Sequence, residues 1–523
     1  MSQEIDQESN QIAGAALLLL ACCGLVAHAL YFNFLNDDAF ISFRYADNLV
    51  RHGELVFNLG ERVEGYTNFL WTILMAGVMG LGLDVGVWSR VLSVGCAIGT
   101  MGVLARFSAQ LAGRRTWSDA VPALLLAAAP AYACWSTGGL ETQLFTLLLA
   151  LGWTSYLDAI FRNERALYRC AIWLGLAAMA RPEGMLVFGL LGLYHVFWML
   201  SVERRWKPKG SEYLCAATFL AVFGPYFAWR WSYYGWPFPN TYYVKTGAAN
   251  FWAPGTRYAL SWVNDHLLWL FPLLAIAAFK GLKKAHRPVV YLGVFLSIIY
   301  ILHVMRVGGD FMGLHRFLVP VMPLLAMIAA VGLRWLYEVA REKKRWRLPL
   351  LGLGLGLLVF SAVHISRVDQ KAMSVGSDHG VDRIGWLKMF HGQCEAIGRW
   401  LQINAPSDAS IATTAAGIIP YYSRLYTVDV LGLNDEWIAH NVKAHGNRPG
   451  HTKSAPLSYV LQKQVDYLIY HPTISETQPR RSLREKKTWR TRGYEWKTVE
   501  VPGLIPPWWG FWQMVREPLT GER

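Results

Sequence analysis

Apolar runs of about 20 residues, separated by short polar stretches, recur along the first two thirds of the chain. A membrane-spanning helix needs roughly 20 largely apolar residues. By that measure the pattern predicts about eleven transmembrane helices, the first over residues 13–34 and the last over about 348–365. The first run is too long for a signal peptide and has no small-residue cleavage site, so it is read as a span. The apolar stretch 68–83 is expected to lie against or dip into the membrane surface without crossing, ahead of a second span at about 91–111. Beyond the eleventh run hydropathy falls. Strand-like stretches at 425–431 and 465–470 and a helical pattern at 386–401 predict a small α/β domain. The predicted division is a membrane domain, 1–366, with a large first external loop at 36–90, followed by a soluble domain, 367–523.

Charge orients this pattern. Arg114 and Arg115, then Arg162, Arg165 and Arg169, then Arg204, Arg205, Lys207 and Lys209, then Lys280, Lys283, Lys284 and Arg287, and finally the run 341–347 fall at alternate ends of successive spans. Those ends are expected to be cytoplasmic. The loops 36–90, 135–142, 181–184, 231–266 and 306–316 then face outward, as does the C-terminal domain, in a bacterial inner membrane. Composition agrees: 54% hydrophobic and 16% charged residues with a mean hydropathy of +0.24 belong in a bilayer. The net charge of +14 sits in short runs between spans, not in a patch or stripe, which argues against nucleic acid as a partner. Seven cysteines, six of them in or beside apolar segments, form no disulfide framework and no CxxC metal knuckle.

The chemistry-bearing residues gather in the outward loops. Asn36-Asp37-Asp38-Ala39-Phe40 follows the first span directly. Two adjacent carboxylates at a bilayer boundary are costly unless paired, capping or functional. A helix cap uses only one of them, and Arg44 with Asp47 reads equally well as a surface pair. The stretch 58–68 carries Glu64, Tyr66 and Asn68 among glycines and suits a carbohydrate, although a turn with a Glu61–Arg62 bridge has the same pattern. Glu141 after Gly138-Gly139, Glu183 in Arg181-Pro182-Glu183-Gly184, and Asp310 in Gly309-Asp310-Phe311-Met312 each set one carboxylate beside glycine or proline. A single such residue is ordinarily a helix cap; several loops repeating it on one side predict a shared polar site. The segment 233–245 is aromatic and proline-rich and contains Asn240, Tyr242 and Lys245. It reads either as an interfacial aromatic belt or as a platform for a sugar or lipid chain. Thr427 to Asp435 ends a strand in a polar turn that reads either as facing the pocket or as a surface strand end, and Trp508, Trp509 and Trp512 form an aromatic cluster suited to glycan or to packing.

Taken together, Asp37-Asp38-Ala39-Phe40-Ile41, the stretch 58–68, Arg181-Pro182-Glu183-Gly184, Tyr234-Gly235-Trp236-Pro237-Phe238-Pro239-Asn240-Thr241 and Gly309-Asp310-Phe311-Met312 resemble the bacterial terminal β-(1→2) arabinofuranosyltransferases. These are a branch of the polyprenyl-phosphate-dependent GT-C glycosyltransferases. The resemblance implies a GT-C helical bundle with an external catalytic pocket and a C-terminal extracytoplasmic domain. It further implies transfer of a sugar, of arabinofuranosyl type, from a polyprenyl-phosphate donor to an envelope glycan, lipopolysaccharide or glycoprotein acceptor. The acidic residue that the class places in the first external loop maps onto Asp37 or Asp38.

Polyprenyl phosphate is already a good leaving group. The remaining tasks are to activate an acceptor hydroxyl and to hold the departing phosphate. Asp38, with Asp37 as the alternative, is the expected base; a retaining route uses a carboxylate as nucleophile instead. Arg316, Lys245 and His315 are the expected phosphate contacts. Glu64, Tyr66, Asn68, Glu141, Glu183, Asn240, Tyr242 and Asp310 are the expected sugar and acceptor contacts. Oxygen-rich carboxylate sites suit Mg²⁺ or Mn²⁺, but no ligand spacing demands either. The competing classes are a lipid-linked sugar transporter, which places charge near the midplane and often repeats its halves, and a non-catalytic envelope scaffold.

Overall fold

The computed structural model describes residues 2–245, 251–342, 344–446, 448 and 450–515. Residue 343, within the expected cationic run 341–347, and residues 246–250, within the expected loop 231–266, lie outside the described residues. The chain is a multi-pass membrane protein. Seven described helices are long and apolar enough to cross a membrane, or eight if Trp252–Asp265 and Leu268–Gly281, bent by 82° at their break, count as one span. Further apolar or long helices in the bundle fall outside that measure. Trp117–Ala128 and Ala166–Ala180 are apolar but short, and Gly210–Tyr234 is long enough but diluted by polar residues, among them the buried Arg230. Phe69–Gly80, at 12 residues, reaches only ~18 Å at 1.5 Å per residue, well under the ~30 Å hydrocarbon core. This fits the expectation that 68–83 does not cross by itself.

The bundle packs closely where small residues allow it. Gly152 of Thr142–Phe161 lies against Leu174 of Ala166–Ala180, and a Cβ there would come within 2.7 Å of the Leu174 side chain. After the last long helix, which runs on to Met373, a hairpin of Ser377–Asp378 and Val381–Asp382 leads into the C-terminal part. There a five-stranded sheet has the order Tyr426–Asp429, Ser410–Thr413, Tyr467–Ser475, Trp508–Met514, Tyr494–Glu500. The first three strands are parallel and the last two pair antiparallel. Ile384–Asn404 covers one face of the sheet, its Trp400 edge-on to Trp509 at 5.5 Å.

This C-terminal part is fastened onto the loops at one end of the bundle. Arg44, read from the sequence as a surface partner of Asp47, is buried. It donates to the carbonyls of Phe57 (2.7 Å), Pro420 (2.6 Å) and Leu425 (2.8 Å), while Asp47 pairs with Arg51. Asn58 bonds the Thr427 backbone in both directions, and Asn240 donates to the carbonyls of Gly432, Leu433 and Asp435. The Gly313 amide donates to the Asp382 carbonyl, and the Asp382 amide donates to that of Phe311, each at 2.7 Å.

Candidate active site

The five outward loops singled out in the sequence converge through their described residues. The Asn36 amide donates to the Gly138 carbonyl (3.2 Å), the Asn36 side chain reaches the Met312 sulfur, and the Trp135 indole donates to the Leu314 carbonyl (3.0 Å). The cap of helix Asp37–His52 is Asn36, whose side chain accepts from the Asp38 amide at 2.8 Å. Neither aspartate is needed for capping, contrary to that reading of the pair, and the two are used differently.

Asp37 points toward the C-terminal part. Its carboxylate accepts from the amides of Ile418 (2.7 Å) and Gly417 (3.2 Å). Gly417 must be glycine, because a Cβ would fall 1.8 Å from the Asp37 carbonyl oxygen. Burial pushes the Asp37 carboxyl up to about 7, against the two amides that lower it.

Asp38, one residue on, is half-buried, and among the described residues no hydrogen bond reaches its carboxylate. Burial raises its pKa above the ordinary carboxylate range; Arg316 and Lys245 oppose the rise, and Asp310 and Glu141 add to it. Those four residues mark its surroundings. Arg316 pairs with Asp310 at 2.7 Å and lies over the rings of Trp135 and Phe317. Lys245 ends the short helix Asn240–Lys245. Crowding by protein lowers its ammonium, which Asp38 partly offsets.

Behind this space a second layer is fully paired. Arg181 donates to Glu141 (2.7 Å) and to Glu183 (2.8 Å), and Asn68 donates to the other oxygen of Glu141 (2.8 Å) while accepting from Ser42 (3.0 Å). Glu141 and Glu183 are therefore members of a charge network and not solitary helix caps.

Other expected contacts stand elsewhere. Glu64 is forked onto Arg230, a buried pair, and its carbonyl accepts from the Asn240 amide. Tyr66 bonds Tyr234 hydroxyl to hydroxyl at 3.1 Å and packs edge-on to Tyr45. Tyr242 is exposed and packs on Phe238. His315 accepts or donates at Ser261 (2.8 Å) against the Tyr258 ring, and burial holds its pKa well below the usual imidazole value. It stands there as a neutral group and not as the cation expected for a phosphate. Asp429 organises its own turn, accepting from the amides of Leu431 and Asn434.

Next to Asp310 and His315 a cavity of about 770 Å³ opens between helix Trp252–Asp265, the 308–315 loop, the end of the last long helix and the 378–383 hairpin. Phe251 and Tyr258 line it, with Arg448 held by Asp382, and Arg257 lines it with no hydrogen bond or ion pair among the described residues. Sequence reasoning missed this cavity. Asp310 and His315 of its lining were singled out in the sequence, but Arg257, the one Lys or Arg between Lys245 and Lys280, was not. Among the described residues no group of three or more His, Cys, Asp or Glu side chains converges as a metal-ligand set. Asp310, Glu141 and Glu183 are each held by an arginine instead.

A domain of unknown function, DUF8728, matches residues 386–512. The chain is similar to two proteins named terminal β-(1→2)-arabinofuranosyltransferase. It is 28% identical over 368 residues to that of Mycobacterium tuberculosis, covering 63% of this chain and 58% of the relative. It is 27% identical over 343 residues to that of Corynebacterium glutamicum, covering 57% and 48%. The chain thus spans about half the length of these curated relatives. Its structure is similar to that of ArnT from Cupriavidus metallidurans bound to undecaprenyl phosphate, with a TM-score of 0.61 at 13% identity, covering 97% of this chain and 99% of that one. The fold is accordingly similar to that of this ArnT structure.

Proposed function

We propose that this protein is a polyprenyl-phosphate-dependent glycosyltransferase of the inner membrane, working on the extracytoplasmic face. Residues 1–366 form the catalytic membrane domain and 367–523 a docked outer domain. The observation that carries the reading is Asp38: a half-buried carboxylate with no hydrogen bond among the described residues, facing two cations inside an otherwise paired network. The relatives' name supports transfer of an arabinofuranosyl-type sugar to an envelope glycan or glycoprotein, and the neighbour bound to undecaprenyl phosphate supports a lipid-phosphate donor.

Asp38 takes the proton of the acceptor hydroxyl, and burial has brought its pKa toward the value a base needs. Arg316 and Lys245 hold the phosphate as negative charge grows on it. Asp310 keeps Arg316 oriented, and the Arg181 network with Glu141, Glu183 and Asn68 braces the site from behind. The 770 Å³ cavity, with Phe251, Tyr258 and Arg257, accommodates the acceptor. The two cations fill the charge-neutralising role that Mg²⁺ or Mn²⁺ plays elsewhere, so turnover should survive chelation. Neither a transporter nor a scaffold has an observation in its favour.

The test is transfer of labelled sugar by the purified protein from a panel of synthetic polyprenyl-phosphate sugars, with and without EDTA. Product from one of them is expected. No product from any donor, with the protein folded, contradicts the reading.

A further inference from the structure

At the opposite end of the bundle from Asp38 lies a groove of about 590 Å³ that this function does not use. Helix Ser2–Phe32 connects the two places: from Gly14, on the groove, to Phe32, beside the Asp38 loop, is about 27 Å at 1.5 Å per residue. That is close to one bilayer thickness. The groove runs between the first helix and Val85–Ala112, and Gly14, Ala15, Gly102 and Ala105 make its floor small and apolar. Its mouth is cationic, with Arg106, Arg114, Arg115 and Arg162.

The pairing of these charges decides what the groove suits. Arg162 donates to the Gln110 carbonyl (2.9 Å) and lies 3.9 Å from Asp158. The carboxylate at the mouth, Asp119, is occupied by the Thr116 amide and the Ser108 hydroxyl. Arg106, Arg114 and Arg115 have no hydrogen bond or ion pair among the described residues. Cations on a convex surface would merely be solvated. Here three uncommitted guanidiniums ring a concavity whose floor is apolar, a shape that matches a phosphate headgroup joined to an acyl chain.

We propose that this groove binds an anionic phospholipid, its phosphate on Arg106, Arg114 and Arg115 and one acyl chain along the Gly102 floor. The site is independent of the glycosyltransferase reading. Gly102 offers a separate handle on the chain, because a Cβ there meets nothing within 4 Å and a larger side chain would fill the groove without disturbing the helix.

The full chain in phosphatidylcholine nanodiscs is titrated with cardiolipin or phosphatidylglycerol, with retained lipid read by native mass spectrometry and folding by thermal melting. Wild type should retain anionic lipid and melt higher with it. The triple variant R106A/R114A/R115A should bind on the order of 100-fold more weakly, from roughly a factor of five per cation. Gly102→Leu should also lose the lipid, while the triple Lys variant keeps it and shows that the charges, not the fold, are being read. Equal retention of phosphatidylcholine, equal protection by inorganic phosphate, or unchanged binding in both the triple Ala and Gly102→Leu variants would overturn the proposal.

Discussion

Two acidic sites at the capped end of the bundle differ in one respect. Glu64 meets Arg230 in a forked, fully occupied pair roofed by Tyr66 and Tyr234, with nothing left to offer a ligand. Asp38 stands among Arg316, Lys245, Asp310 and Glu141, yet among the described residues no donor bonds it. A carboxylate whose hydrogen bonds are all made holds structure, because breaking it leaves a buried charge. One left open keeps its cost for a substrate to relieve. Asp37 belongs with Glu64 in this comparison despite adjoining Asp38, since its two amide donors tie the C-terminal part to the first loop.

The sharpest way to break the comparison is to exchange effects between its two sides. Asp38→Asn is expected to lower kcat by about 10²–10⁴, the usual worth of a general base, with melting temperature unchanged. Arg230→Met should do the reverse: about 3–5 kcal/mol of stability lost, while the folded fraction turns over normally. Lys245→Met should raise the donor KM by about tenfold, the order of one charge-assisted contact, with kcat moved less.

Asp37→Asn should cost about 1–3 kcal/mol through its two amides, and its pH signature is specific. With a folded value of about 7 against an ordinary 3.8, the folded state holds the extra proton between those limits. Stability contributed by this group is therefore full below about pH 4 and falls as pH rises to about 7. Asp37→Asn should flatten that slope in a urea titration across pH. Tyr242→Phe, at an exposed ring, should change acceptor KM by no more than about twofold, within the range of a surface contact.

Much of this division was open to reading. Spans follow from hydropathy because the bilayer imposes its thickness on the chain, and the convergence of loops on one side follows from where Lys and Arg fall. Which members of that polar set face a ligand was not legible, since it depends on partners hundreds of residues away. Arg44 looks like a helix-surface residue until Pro420 and Leu425 arrive. Glu64 looks like a sugar contact until Arg230 meets it across 166 positions. His315 looks like a cation until burial holds it neutral.

The most direct measurement of the central claim is single-turnover sugar transfer by Asp38→Asn and Asp37→Asn, prepared alongside wild type and matched for folded fraction and donor binding. The account predicts that Asp38→Asn binds donor and fails to transfer, while Asp37→Asn transfers at the wild-type rate. Full transfer by Asp38→Asn, or loss of transfer by Asp37→Asn alone, would contradict it.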